Sequence, residues 1–180
     1  MKAEEYDEDN SSFFCSLEKD IITEEDLRCK IYEFLSYVVS PKQKVSEDFK
    51  VLLLPPDYTR VHSQAGVITQ IIHEYFSSEI EKSSITILPA LGTHAPMTSF
   101  QKDKMFGAVA SSATFVDHDW RKDVVTIGRV PAQYVTQATD GHVTDATWPA
   151  QLNKLVWEGN HSLILSIGQV VPHEVGSFFS

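Results

Sequence analysis

The residues best suited to chemistry stand in three short turns, each just after an apolar run. The first reads Asp57-Tyr58-Thr59-Arg60. Asp57 can accept hydrogen bonds from ligand hydroxyls, and Arg60 offers a planar fork for a carboxylate or phosphate. Thr59 is placed to cap the following helix, whose N-terminus also favours an anion. The plainer alternative is an Asp57–Arg60 pair that braces a loop. The second turn is Gly92-Thr93-His94. Gly92 permits a tight turn or a close backbone approach to a ligand. Thr93 can bond backbone or ligand, and His94 brings an imidazole, the side chain whose intrinsic chemistry lets it give or take a proton near neutrality. A structural histidine at this place would be equally ordinary. The third turn is Pro172-His173. Two histidines beyond strands of one sheet could flank a ligand from opposite sides, which suits removal of a proton on one face and its return on the other. A further cluster, Asp117-His118-Asp119-Trp120, matches no zinc spacing and reads as loop bracing or ligand shell rather than a metal site. His62, His73, His142 and His161 read as helix, loop or surface residues.

Parallel α/β sheets place ligands beyond the carboxyl ends of their strands, so the elements between these turns decide whether the turns meet. Thr23-Glu24-Glu25-Asp26 predicts a capped helix start, and Leu27, Ile31, Phe34, Leu35 and Val38 follow at helical spacing up to Pro41. Val51-Leu52-Leu53-Leu54 predicts a strand covered on both faces. Val67, Ile68, Ile71, Ile72 and Tyr75 mark an amphipathic helix, and residues 85–88 a second buried strand. Together they form a βαβ unit with a right-handed crossover. Thr98 caps a helix running to about Val109, and Thr114-Phe115-Val116 is a short strand. Between Val124 and Trp148, β-rich residues and the Asp140-Gly141 pair predict a hairpin closed by a tight I′ turn. Pro149 opens a helix that contains Leu152, Leu155 and Val156 and closes near Gly159. Residues 162–167 form another buried strand. The expected fold is an α/β domain with a Rossmann-like, mostly parallel sheet, helices on both faces and a β-hairpin insertion near 124–148.

Composition bounds the function. The chain of 180 residues suits one domain, expected over 17–180, preceded by an acidic disordered tail over 1–16. A formal net charge of -10 and a pI of about 5.0 argue against a nucleic-acid backbone as the main partner. Cys15 and Cys29 form no CxxC pair, which suits a reducing compartment. No secretory signal and no apolar run of membrane-spanning length is present, so no membrane partner is expected and the cytoplasm is the expected location. The chain also lacks GxGxxG, GxxxxGK[ST] and GxSxG, which leaves dinucleotide folds, phosphate loops and serine hydrolases unsupported.

Taken together, the turns resemble the N-terminal domain of the lactate racemase family, nickel-pincer-nucleotide enzymes acting on 2-hydroxyacids. The family's D-x-T-R turn matches Asp57 to Arg60. Its G-T-H-R-P-M-T turn matches Gly92 to Thr98, with Ala95 in place of arginine. Its N-H-D turn is here Asp117-His118-Asp119, and its proline-histidine pair is Pro172-His173. The resemblance implies a cofactor in which nickel is bound to a pyridinium-derived nucleotide, with hydride passing from the C2 of a 2-hydroxyacid to the cofactor and back, through a ketoacid. It assigns His94 and His173 as acid/bases for the two enantiomers, Arg60 to the substrate carboxylate, and Asp57, Thr59, Gly92 and Thr93 to the cofactor. It departs after His173. The family continues with a glycine-rich stretch, a lysine bonded covalently to the cofactor, a nickel-ligating histidine and a C-terminal domain, whereas this chain reads Glu174 to Ser180. The expectation is an N-terminal catalytic domain, incomplete at its C-terminus and inactive as this chain alone. The alternative is a non-catalytic nucleotide- or hydroxyacid-binding domain.

Overall fold

The computed structural model describes residues 22–39, 48–80, 82–169, 171–172 and 178–179. The acidic segment 1–16 and His173 lie outside the described residues. Helix α1 (Glu24–Val38) begins at Thr23, whose side chain accepts the Asp26 N–H while the Asp26 carboxylate bonds back to the Thr23 backbone. This is the reciprocal cap that the sequence predicts. Strand β1 (Phe49–Leu54) follows, then a 3-10 segment (Tyr58–Ser63), helix α2 (Ala65–Glu79) and strand β2 (Ser83–Ile87).

Thr98 caps helix α3 (Ser99–Phe106), also with a complete capping box. The predicted run to Val109 is interrupted at Gly107, whose φ of 54° lies in the left-handed region, and a separate turn of helix α4 (Val109–Ser112) leads to β3 (Thr114–Phe115).

The next region keeps the expected antiparallel pairing but not the tight turn. Strands β4 (Val124–Val130) and β5 (Trp148–Asn153) do pair antiparallel, but helix α5 (Ala132–Ala138) stands between them. Asp140 and Gly141 have positive φ, 48° and 82°, as the sequence suggests, yet they turn the chain after α5 rather than close a two-residue hairpin. Pro149 opens no helix. It lies in β5 opposite Arg129, in a two-stranded sheet where a proline's missing N–H removes few ladder bonds. The helix is the shorter α6 (Lys154–Glu158), capped by Asn153 and followed by β6 (Leu163–Ser166). Val171–Pro172 (β7) pairs antiparallel with Phe178–Phe179 (β8).

The main sheet is parallel, in the order β3-β2-β1-β6, flanked by helices. Phe49, Val51 and Leu53 alternate onto one face, level with Ile85, Ile87, Leu163 and Leu165. There they join the cluster built by Ile31 and Leu35 of α1, Ile71, Tyr75 and Phe76 of α2, and Phe106 of α3. Helices α1 and α2 are held together by the edge-on Tyr32–Tyr75 ring pair, 5.0 Å between centroids, and the Arg28–Glu74 ion pair. Leu52 is fully buried on the other face. The chain steps from β1 to β2 to β3 in one direction, then returns past them to place β6 on the far side of β1. With right-handed crossovers that reversal carries the returning segment over the second face. It also makes the gap between the carboxyl ends of β1 and β6 a topological switch point, where open α/β sheets bind ligands.

Gly66 shows how closely the helices pack. A Cβ there would stand 2.0 Å from the Met105 carbonyl oxygen of α3. Gly66→Ala must therefore push α2 and α3 apart, with an expected loss of roughly 1–3 kcal/mol. Chemical denaturation checks this, and an unchanged midpoint would show that the helices can part freely.

Candidate functional site

The turn after β1 folds around a buried carboxylate. Asp57, 6% exposed, takes the N-cap position of the 3-10 segment. Its Oδ1 accepts from the Thr59 backbone N–H at 3.0 Å and from the Thr59 hydroxyl, and its Oδ2 bonds His94 Nδ1 at 2.5 Å. Thr59 therefore clamps Asp57 and does not cap α2. That helix starts at Ala65 after Gln64, a residue in the left-handed conformation with no side-chain cap. The Asp57–Arg60 brace is not formed either. Arg60 is exposed, with its backbone N–H bonded to the Asp57 carbonyl and its guanidinium in no ion pair among the described residues.

His94 is delivered by the turn after β2. The sheet is extended past β2 by the Ala90 N–H bonding to Pro55 and by a Pro56–Ala90 bridge, which fixes this turn beside the Asp57 turn. The His94 N–H then closes on the Leu91 carbonyl at 2.9 Å, with Gly92 at a φ of 56°. A Cβ on Gly92 would meet nothing within 4 Å, so backbone conformation and not crowding calls for glycine here.

Burial works to raise the pKa of Asp57, but the hydrogen bonds from Thr59 and then His94 outweigh it and hold the carboxylate below its ordinary range. An ionised Asp57 accepts only, so His94 carries a proton on Nδ1 and presents Nε2 as its free basic atom. The His94 side chain is 60% exposed and stands between two recesses. One, of about 140 Å³, is lined by Asp57, Thr59, His94, Met97 and Gln101. The other, of about 380 Å³, runs from Thr93 and His94 to Asp117, His118, Trp120 and Arg121 beyond β3. The structure thus brings together Asp57, Thr59, Thr93, His94 and the Asp117–Trp120 turn, and leaves Arg60 at the rim of the first turn. An arrangement of buried carboxylate, oriented imidazole and open cleft equips one side chain for proton transfer.

The sequence model of the lactate racemase N-terminal domain matches residues 17–178. The chain belongs to that family. Among solved structures, a Thermotoga maritima protein from structural genomics is 25% identical with a TM-score of 0.73, over 90% of this chain and 37% of that one. The lactate racemase apoprotein from Thermoanaerobacterium thermosaccharolyticum is 19% identical with a TM-score of 0.60, over 84% of this chain and 33% of that one. This chain therefore matches only about a third of either relative's length. No curated protein matches.

Two features of the site were not foreseen from sequence. The Asp57–His94 pair joins residues that the sequence reading assigned to separate duties. The second is a bond between Asn153 and His118, hidden because Pro149 was expected to start the helix that Asn153 in fact caps.

The Asp57 carboxylate gives a pH prediction. Because its folded pKa is depressed, its contribution to stability is complete above about pH 4, the unfolded value, and is lost as pH falls through the lower folded value. Asp57→Asn should flatten that acid limb of the stability curve, read by denaturant titrations between pH 2 and 7. An acid limb identical to wild type would remove Asp57 from it.

Proposed function

We propose that this chain is the N-terminal catalytic domain of a lactate-type 2-hydroxyacid racemase or epimerase. The family's nickel-pincer nucleotide would supply the acceptor for the hydride at C2, and His94 and His173 would handle the hydroxyl proton on the two faces. The observation that carries this reading is the Asp57–His94 pair at the mouth of an open cleft. Abstraction of a hydride from C2 requires the hydroxyl to lose its proton as the ketoacid forms. His94 Nε2 is the free base for that proton, and Asp57 would stabilise the imidazolium that results. Return of both to the other face yields the opposite enantiomer. Arg60, exposed and unpaired among the described residues, is suited to hold the substrate carboxylate.

The turns beyond β1 and β2 suit the nucleotide part of the cofactor, because they bring Thr59, Thr93 and the Asp57 carboxylate to the carboxyl ends of adjacent parallel strands. The metal part is not provided for by the described side chains, since no three His, Cys, Asp or Glu residues converge there. When bound, the cofactor would supply the hydride acceptor, and this chain's residues would supply the proton path. The substrate is a small hydroxyacid, the partner is a C-terminal domain that closes the cleft, and the setting is cytoplasmic. No described helix is long and apolar enough to cross a membrane.

The test supplies the protein with nickel, the pyridinium-derived nucleotide and a panel of chiral 2-hydroxyacids, with and without a lactate racemase C-terminal domain as a second chain. Enantiomer ratios should stay fixed for the chain alone and move once the second domain is present. His94→Ala should slow that change about a hundredfold or more. Fixed ratios across the panel, with cofactor loading confirmed and both domains present, overturn the reading.

Asp57→Asn separates charge from shape. The Thr59 N–H requires the oxygen of the new amide, so the amide N–H₂ faces His94 Nδ1 and forces the proton onto Nε2. The variant should lose racemisation about as fully as His94→Ala in the same two-domain assay.

A further inference from the structure

His118 has a defined polarity that the function above does not use. Asn153 caps α6, with its Oδ1 accepting the Leu155 N–H at 2.8 Å. This bond fixes the orientation of the amide, so Nδ2 is the atom that faces His118 Nδ1 at 2.8 Å. An amide N–H donates, so His118 Nδ1 accepts, and neutral His118 carries its proton on Nε2. The two histidines of the cleft are therefore opposite in kind. His94 offers a lone pair at Nε2, and His118 offers an N–H.

The groups around His118 point to what that N–H serves. Asp117 and Asp119 line the same cleft, but each is bonded to a lysine, Lys102 and Lys122, at 3.1 Å in both cases. Arg121 instead places its guanidinium carbon over the Trp120 ring, 3.9 Å from the centroid; its charge helps hold Asp119 ionised, but it forms no ion pair with a described carboxylate. The acids of this wall are already matched by lysines, whereas neither His118 Nε2–H nor the Arg121 guanidinium has a hydrogen-bond or ion-pair partner among the described residues.

We propose that His118 Nε2–H, held in that tautomer by Asn153, acts with Arg121 as a receptor for an anionic oxygen group of the ligand, a carboxylate or a phosphate. The receptor deepens the site reading above, and only its carboxylate arm rests on that reading. Asn153 is a positioning residue, since it acts through His118.

Nitrogen-resolved NMR of the imidazoles tests the tautomer directly. His118 should be Nε2–H in the wild type. In Asn153→Asp, which keeps an equally good cap, it should switch to Nδ1–H with little change in melting temperature. Calorimetry with D-lactate, L-lactate and inorganic phosphate then tests the receptor, and the probe that binds names carboxylate or phosphate as the group. Its affinity should fall about tenfold or more in Asn153→Asp, His118→Ala and Arg121→Gln. His118→Gln, whose amide reaches the Nε2 position, should recover part of the loss. An Nδ1–H wild-type His118, equal affinities across these variants, or no saturable binding of any probe overturns the proposal. A failed racemisation assay alongside an intact tautomer and a phosphate response would sink the hydroxyacid reading and leave the receptor standing.

Discussion

One buried carboxylate organises the candidate site. Asp57 leaves water at the end of β1, and that transfer is tolerable only because Thr59 and His94 supply its hydrogen bonds. Each partner constrains a different piece of the molecule. Thr59 shapes the 3-10 segment that leads into α2, so the bond is local. His94 arrives from the turn after β2, so its bond ties together two strand ends that are adjacent only because β1 and β2 pair in parallel. The same bond that satisfies the carboxylate chooses the tautomer of the imidazole. Local folding, sheet pairing and acid-base competence are here a single interaction.

Much of the architecture is legible in the residues. Capping boxes at Thr23 and Thr98 announce their helices because the chemistry is confined to four residues. The apolar run of β1 announces a strand because a parallel sheet covers both of its faces, whereas β6, expected to be equally buried, lies at the sheet's edge and leaves Ile164 and Ser166 exposed. Legibility fails where one residue has two honest uses. Pro149 fits the first turn of a helix or a short two-stranded ladder, and the decision rests with its partner Arg129, 20 residues away. Asp140-Gly141 correctly signals positive φ, but positive φ serves a turn after a helix as well as a hairpin turn.

The candidate site was legible as a set of strand-end residues and not in their pairings. Asp57, Thr59, Thr93 and His94 could be picked out because they follow strands, and strand ends are where open sheets gather ligands. That Asp57 would choose His94 over Arg60 is a matter of register. The Pro56–Ala90 bridge sets it, and no property of the side chains does. A planar fork and a carboxylate three residues apart are a plausible pair in any sequence. In this fold the carboxylate turns inward and the arginine outward.

The β4–α5–β5–α6 excursion finds its reason in the same terms. It follows β3, and its two strands pair so that Val124 faces Asn153. That register returns Asn153 to the segment the chain has just left, and the Lys154 N–H and ammonium bond the carbonyls of Asp123 and Lys122 to seal the return. Residues 117–123 are thereby fixed by bonds from a strand end some 30 positions later, and His118 acquires its partner. A loop beyond a two-residue strand would otherwise have little to hold it, since β3 pairs with β2 through only Thr114 and Phe115. Asp57 and Asn153 therefore do parallel work from different elements. Each caps the segment that follows it, and each spends its second polar atom on a histidine. The carboxylate leaves its histidine a base and the amide leaves its histidine a donor, so the cleft acquires two unlike imidazoles from two ordinary caps.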